Sequence, residues 1–220
     1  MDGSVKVRVI TIEREYGSGG ADIARLLAER LGWTLWDQRL TDEIARLAKC
    51  DRAAVSEREE RTDPLYYRLL KSFMRGSFEG SLNVPRLKLL DTDVIVGLTK
   101  RIVEKAADEG RCVIVGRGAA FFLANRSDVF NVFIYAPHEH KVHRLIRGGI
   151  ERRKATSLVE TVDEERADFI RKYFGKEWPC RRLYHLMINS RAGDEVVVRT
   201  ILNAIGTHEE QPVPPVPHSG

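Results

Sequence analysis

No uninterrupted apolar stretch in the chain approaches the roughly 20 residues of a membrane-spanning helix, and Met1 to Lys6 has no apolar run to follow its few charges. The chain therefore reads as soluble, unexported and cytoplasmic. Cysteine is scarce: Cys50, Cys112 and Cys180 are odd in number, widely spaced and without a CxxC pair, which argues against a disulfide framework or a zinc site. Neither sign of charge dominates. Lys and Arg number 36 against 32 Asp and Glu, and the excess of +4 leans the surface toward anionic partners without establishing nucleic-acid binding. There is no internal repeat. The 220 residues, 43% hydrophobic and 31% charged, have the composition and length of a globular chain with one substantial core.

Val7 to Ile12 is a β-branched run ended by glycines, after which Ile23, Leu26, Leu27 and Leu31 recur at helical spacing until Gly32. This predicts strand, glycine turn, helix. A short strand is expected at Thr34 to Asp37, then a charge-dense helical insertion from about 42 to 90. Thr92 or Asp91 can cap a helix that Gly110 closes. Cys112 to Val115 and Val129 to Tyr135 read as buried strands, Pro137 opens the next helix, and Leu186 to Ile188 gives the last strand. Short apolar runs separated by helical patterns predict an α/β fold with a central parallel sheet of about five strands. The tail 207–220 carries Pro212, Pro214, Pro215 and Pro217, cannot continue a helix, and is expected to be disordered.

The segment Arg14-Glu15-Tyr16-Gly17-Ser18-Gly19-Gly20 lies between the first strand and the first helix. Glycines let backbone N–H groups converge on an anion, and the helix N-terminus adds partial positive charge, so phosphate binding is the natural inference. A purely structural turn is the competing reading. Six basic residues, Lys141, Arg144, Arg147, Arg152, Arg153 and Lys154, stand against Glu151 across 141–154. A solvated helix face would look the same. His138, His140 and His143 lack the i,i+4 spacing of a helical zinc pair. Tyr173, Phe174, Trp178 and Tyr184 read as packing of the C-terminal region, and Trp33 and Trp36 as packing at the sheet edge.

Arg14 to Gly20, Trp36-Asp37-Gln38-Arg39, Gly116-Arg117 after a strand, Asp163 to Arg166 and Ile188-Asn189-Ser190 occur in an order that resembles the cytidylate kinase-like family. These are relatives of bacterial cytidylate kinase among the P-loop nucleoside monophosphate kinases, and the resemblance runs from about Val7 to Ile205. It implies a P-loop kinase-like three-layer fold, a single nucleotide-kinase-like domain over 1–206 and a lid near 144–170. It also implies Mg²⁺ with ATP, a nucleotide or other small phosphorylated ligand as partner, and transfer of the γ-phosphoryl group to a nucleoside monophosphate or similar small acceptor. Under it Gly17, Ser18, Gly19 and Gly20 bind phosphate. Asp37, Arg39, Arg117 and Asp163 hold the substrate, and Arg14, Arg144, Arg147 and Arg166 carry catalytic charge.

The sequence departs from the P-loop pattern G-x-x-x-x-G-K-[ST] at three places: Arg14 replaces the first Gly, Gly20 the Lys and Ala21 the hydroxyl residue. Gly118 replaces an Asp that helps recognise cytosine in cytidylate kinases, so cytidine specificity does not carry over. An inactive or regulatory nucleotide-binding module is the alternative reading, and nucleic-acid binding through 141–154 stands behind both.

Overall fold

The computed structural model describes residues 6–51 and 92–209. Most of the expected insertion and the proline-rich part of the tail lie outside the described residues. The chain runs β1 (Val9–Arg14), α1 (Gly20–Leu31), β2 (Thr34–Trp36), α2 (Gln38–Asp51), α3 (Thr92–Glu109), β3 (Cys112–Val115) and α4 (Ala119–Phe122). It continues through β4 (Val129–Tyr135), α5 (His138–Arg147), α6 (Arg152–Phe174), β5 (Leu186–Asn189) and α7 (Asp194–Glu209).

The strands form one five-stranded sheet in the order β2-β3-β1-β4-β5, and every pair is parallel. β1 sits in the middle, with Val9 opposite both Cys112 and Val129. Alternation along β1 divides the core into two layers. Ile10 and Ile12 pack with Val113 and Val132 beneath Ile23 and Leu27 of α1 and Val197 and Ile201 of α7. Val9, with Ile114 and Val129, faces Leu40 of α2, Ile102 of α3 and Phe169 of α6. Helices thus cover both faces, which is why the strands read as continuous apolar runs.

From β1 the chain builds β2 and β3 on one side and then crosses to build β4 and β5 on the other. The carboxyl ends of β1 and β3 therefore flank the topological switch point, where open α/β sheets place ligands.

β3 and β4 fall where the sequence placed them. β1 ends two residues later than expected, because Glu13 and Arg14 extend the strand and pair with Phe133 and Ile134. The segment expected as a lid comprises the end of α5, a turn over 148–151 and most of α6. Its apolar side, Leu145, Ala155, Val159 and Val162, closes on Tyr16 of the glycine turn. Among the described residues, no helix is long and apolar enough to cross a membrane.

Candidate active site

The turn between β1 and α1 is built around two glycines. Gly17 has φ +77°, and a Cβ there would lie 3.1 Å from the Lys141 carbonyl oxygen. Gly19, at φ +81°, is the N-cap of α1 and provides no side-chain cap. Glycine alone takes such φ values at no steric cost. The first N–H groups of α1, from Gly20 onward, have no partner within the helix and carry its positive dipole end. Ser18 does not offer its hydroxyl to the cleft, because Oγ donates to the Glu15 carbonyl at 2.8 Å.

A network of buried and half-buried charges holds the turn from below. The Tyr16 N–H donates to Asp163 Oδ1 at 2.8 Å. Lys141 Nζ, on a residue only 8% exposed, lies 3.0 Å from Glu15 Oε2 and 3.1 Å from Asp163 Oδ2. Arg166 Nη1 donates to the Arg14 carbonyl at 2.8 Å and to Asp163 Oδ1 at 3.2 Å. Asp163, expected to touch substrate, thus gives both carboxylate oxygens to the protein.

The turn opens into a cleft of about 1400 Å³. Of the residues singled out in the sequence, Arg14, Gly17, Gly19, Gly20, Asp37, Arg144, Arg147 and Arg166 line it. Ser18, Arg39, Arg117 and Asp163 do not. Arg39 is exposed, with its guanidinium stacked 4.4 Å above the Trp36 ring.

Arg144 reaches across the cleft: Nη1 and Nη2 meet Asp194 Oδ1 and Oδ2 at 2.9 and 2.6 Å, and Nη2 meets Asp22 Oδ2 at 2.8 Å. Those acids belong to the first turns of α7 and α1, where negative charge is favoured. Their hydrogen bonds push the Arg144 pKa up, so its charge is secure. Arg147 is exposed on the same wall.

Just behind the cleft, at the carboxyl ends of β1 and β3, lie two buried ionisable groups. Arg117 is 4% exposed, has φ +59°, and donates from Nη2 to Thr41 Oγ1 at 2.7 Å. Burial, and then the charge of Arg14, pull its pKa down to about 9, so the cation is held at a cost that an incoming anion would relieve. Glu13 is also buried, and its Oε1 has no hydrogen-bond partner among the described residues. Burial pushes its pKa up, against the opposing pull of Arg14, Arg166 and Arg117.

Gly118, at φ +66°, accounts for one departure from the cytidylate kinase pattern. A Cβ there would lie 2.8 Å from Phe174 Cζ, within a cluster where Phe174 stacks on Phe121 at 4.8 Å. Any side chain at 118 is directed into aromatic packing.

Lys141 and Glu13 were not singled out as site residues by sequence reasoning. Lys141 is hidden within a basic run, and its partners lie on β1's turn and on α6. Glu13 reads as the polar edge of a turn because its strand pairing is long-range.

Among solved structures the chain resembles an uncharacterized protein from Eubacterium ventriosum, at 21% identity and TM-score 0.65, covering 91% of this chain and 99% of that one. It also resembles shikimate kinase from Acinetobacter baumannii in complex with shikimate, at 18% identity and TM-score 0.52, over 94% and 97% of the two chains. Shikimate kinase from Bacteroides thetaiotaomicron matches at 16% identity and TM-score 0.50, over 90% and 98%. These likenesses are of fold, and the five-stranded parallel sheet with its flanking helices is that of P-loop kinases. No curated protein sequence matches the chain. The model of the cytidylate kinase-like family matches residues 9–192, from the first strand past the last, and the chain belongs to that family.

Proposed function

We propose that this protein is a phosphotransferase that moves the γ-phosphoryl group of ATP to a nucleoside monophosphate or similar small acceptor. One observation carries the reading: the uncapped N-terminus of α1 opens into a cleft walled by Arg14, Arg144, Arg147 and Arg166, contributed by three different elements. Backbone N–H groups and guanidiniums converging on one space suit a polyphosphate, for which catalysis is mainly positioning and charge neutralisation.

In this reading the N–H groups of Gly17, Gly19 and Gly20 hold the donor phosphates, while the Ser18 N–H donates to the Glu15 carbonyl within the turn. Arg144, Arg147 and Arg166 stabilise charge on the transferring group. Asp37 and Arg117 hold the acceptor, with Arg39 at the rim, and Asp163 keeps the turn in shape. With a nucleoside monophosphate as acceptor, its phosphate oxygen forms the new bond to the γ-phosphorus while the bond to the β–γ bridging oxygen breaks, leaving ADP and the nucleoside diphosphate. ATP fits the site through its phosphates. Mg²⁺ would arrive with the nucleotide, since Ala21 offers no oxygen where a P-loop Ser or Thr holds it.

Gly20 and Ala21 are the observation that favours a second reading, a nucleotide-binding module without turnover. The nucleic-acid reading is weakened because Lys141 is buried and Arg144 is engaged by two carboxylates, which removes both from any surface stripe.

The test is chromatographic conversion of a panel of ribo- and deoxyribonucleoside monophosphates with Mg-ATP, beside Arg117→Ala. Product from one acceptor, reduced in the variant, is expected. Calorimetric ATP binding with no product across the panel would favour the binding module, and unchanged acceptor affinity in Arg117→Ala would overturn the assignment of Arg117.

A further inference from the structure

Arg14 is the last residue of the central strand, 6% exposed, and its neighbours show where its side chain runs. A Cβ built on Gly20 would lie 2.7 Å from both Cβ and Cγ of Arg14. A Cβ built on Gly116 would overlap Arg14 Nη1. The stem therefore crosses the first residue of α1, and the guanidinium reaches the carboxyl end of β3, immediately before Arg117. Arg166 secures the start of this path by donating to the Arg14 carbonyl at 2.8 Å.

Position 20 is where a P-loop places its lysine. Any side chain there would meet the Arg14 stem, so a lysine at 20 and an arginine at 14 exclude each other. We propose that the two departures are one exchange: Arg14 supplies from β1 the γ-phosphate cation that a P-loop ordinarily supplies from its helix, and Gly20 is glycine so that Arg14 can pass. This deepens the phosphotransferase reading and rests on it. A guanidinium spanning from the donor turn to the β3 end lies between the two halves of the proposed site. Its planar fork offers two phosphoryl oxygens a pair of parallel N–H bonds in fixed geometry, whereas a lysine ammonium acts as a compact point charge.

Calorimetry with ATP and with ADP, each with Mg²⁺, isolates the contribution of the γ-phosphate. The wild type is expected to prefer ATP. Arg14→Met keeps the stem and removes the charge; it should lose about 10- to 100-fold in ATP affinity, the range for a lost hydrogen bond to a charged group, with ADP affinity within about threefold. Gly20→Lys alone should bind ATP poorly, because two side chains then compete for one channel. Arg14→Gly with Gly20→Lys rebuilds an ordinary loop and should recover the preference for ATP. Thermal unfolding of each variant confirms that a folded protein is being titrated. If Arg14→Met does not fold, the difference in ATP affinity between Gly20→Lys and the double variant still decides the proposal.

An Arg14→Met protein that retains the wild-type ATP-to-ADP ratio would overturn the proposal and leave the phosphotransferase reading standing. So would a Gly20→Lys protein that binds ATP as well as the double variant. A wild type that binds neither nucleotide would instead remove the reading itself, and the proposal with it.

Discussion

Lys141 Nζ and Asp163 Oδ2 meet at 3.1 Å beneath the glycine turn, joining the helix after β4 to the helix that follows it. Lys141 is buried and Asp163 half-buried, and Asp163 also receives the Tyr16 N–H and Arg166. Removing Asp163 leaves Lys141 with Glu15, and takes a carboxylate from Arg166 and an acceptor from the Tyr16 N–H. Asp163→Ala should cost about 3–5 kcal/mol in urea unfolding. Asp168→Ala, on the same helix in an exposed pair with Arg171, should stay within about 0.5 kcal/mol. Equal effects from the two variants would mean that the turn is not held by this network.

At Gly118 a side chain meets both an unfavourable φ and the Phe174 ring. Gly118→Ala should lower stability by about 1–3 kcal/mol. Gly118→Asp should be worse and should confer no preference for cytidine monophosphate over the other acceptors. Acquisition of that preference by a stably folded Gly118→Asp protein would contradict the direction assigned to this side chain.

Glu13 gives the protein a defined pH response. Burial raises its pKa above the ordinary 4.5, so the folded state binds this proton more tightly than the unfolded chain does. The resulting stabilisation is fully present below about 4.5 and is lost as pH rises through the elevated folded value. Relative to Glu13→Gln, the wild type should therefore gain stability as pH is lowered from 7 toward 5, read from urea midpoints. A wild type that loses ground over that interval would show that the arginines, not burial, govern this carboxyl.

Arg144 and Arg147 share one wall of the cleft but differ in how they are held. Arg144→Ala cuts the links to Asp22 and Asp194, so both the melting temperature and turnover should fall. Arg147 is exposed; Arg147→Ala should leave the melting temperature within about a degree while lowering kcat/KM by about tenfold, the size expected for one phosphate contact. Loss of stability in the Arg147 variant would make it a structural residue.

The parts of the fold that were legible in the sequence are those set by local pattern. Cys112 to Val115 and Val129 to Tyr135 are strands because their β-branched and aromatic runs are bounded by breakers. The glycine turn was legible because chain direction reverses between a strand and a helix, and only glycine serves there cheaply. Thr34 to Trp36 was visible for the same reason, one residue shorter than expected.

What the sequence determined by itself was the set of elements, their parallel class and the cluster of charged residues near strand ends. Tertiary structure alone decided which charges face the cleft, because that depends on contacts between residues far apart in the chain. Lys141, in sequence one of six basic residues of the run 141–154, is turned inward by Glu15 and Asp163. Arg39 stacks on Trp36 rather than entering the cleft, and Arg14 passes over Gly20 to reach Gly116. A one-dimensional pattern records the type and spacing of side chains. The direction of a buried charge is set by whichever partners packing brings within a few ångströms, and only the folded chain fixes that.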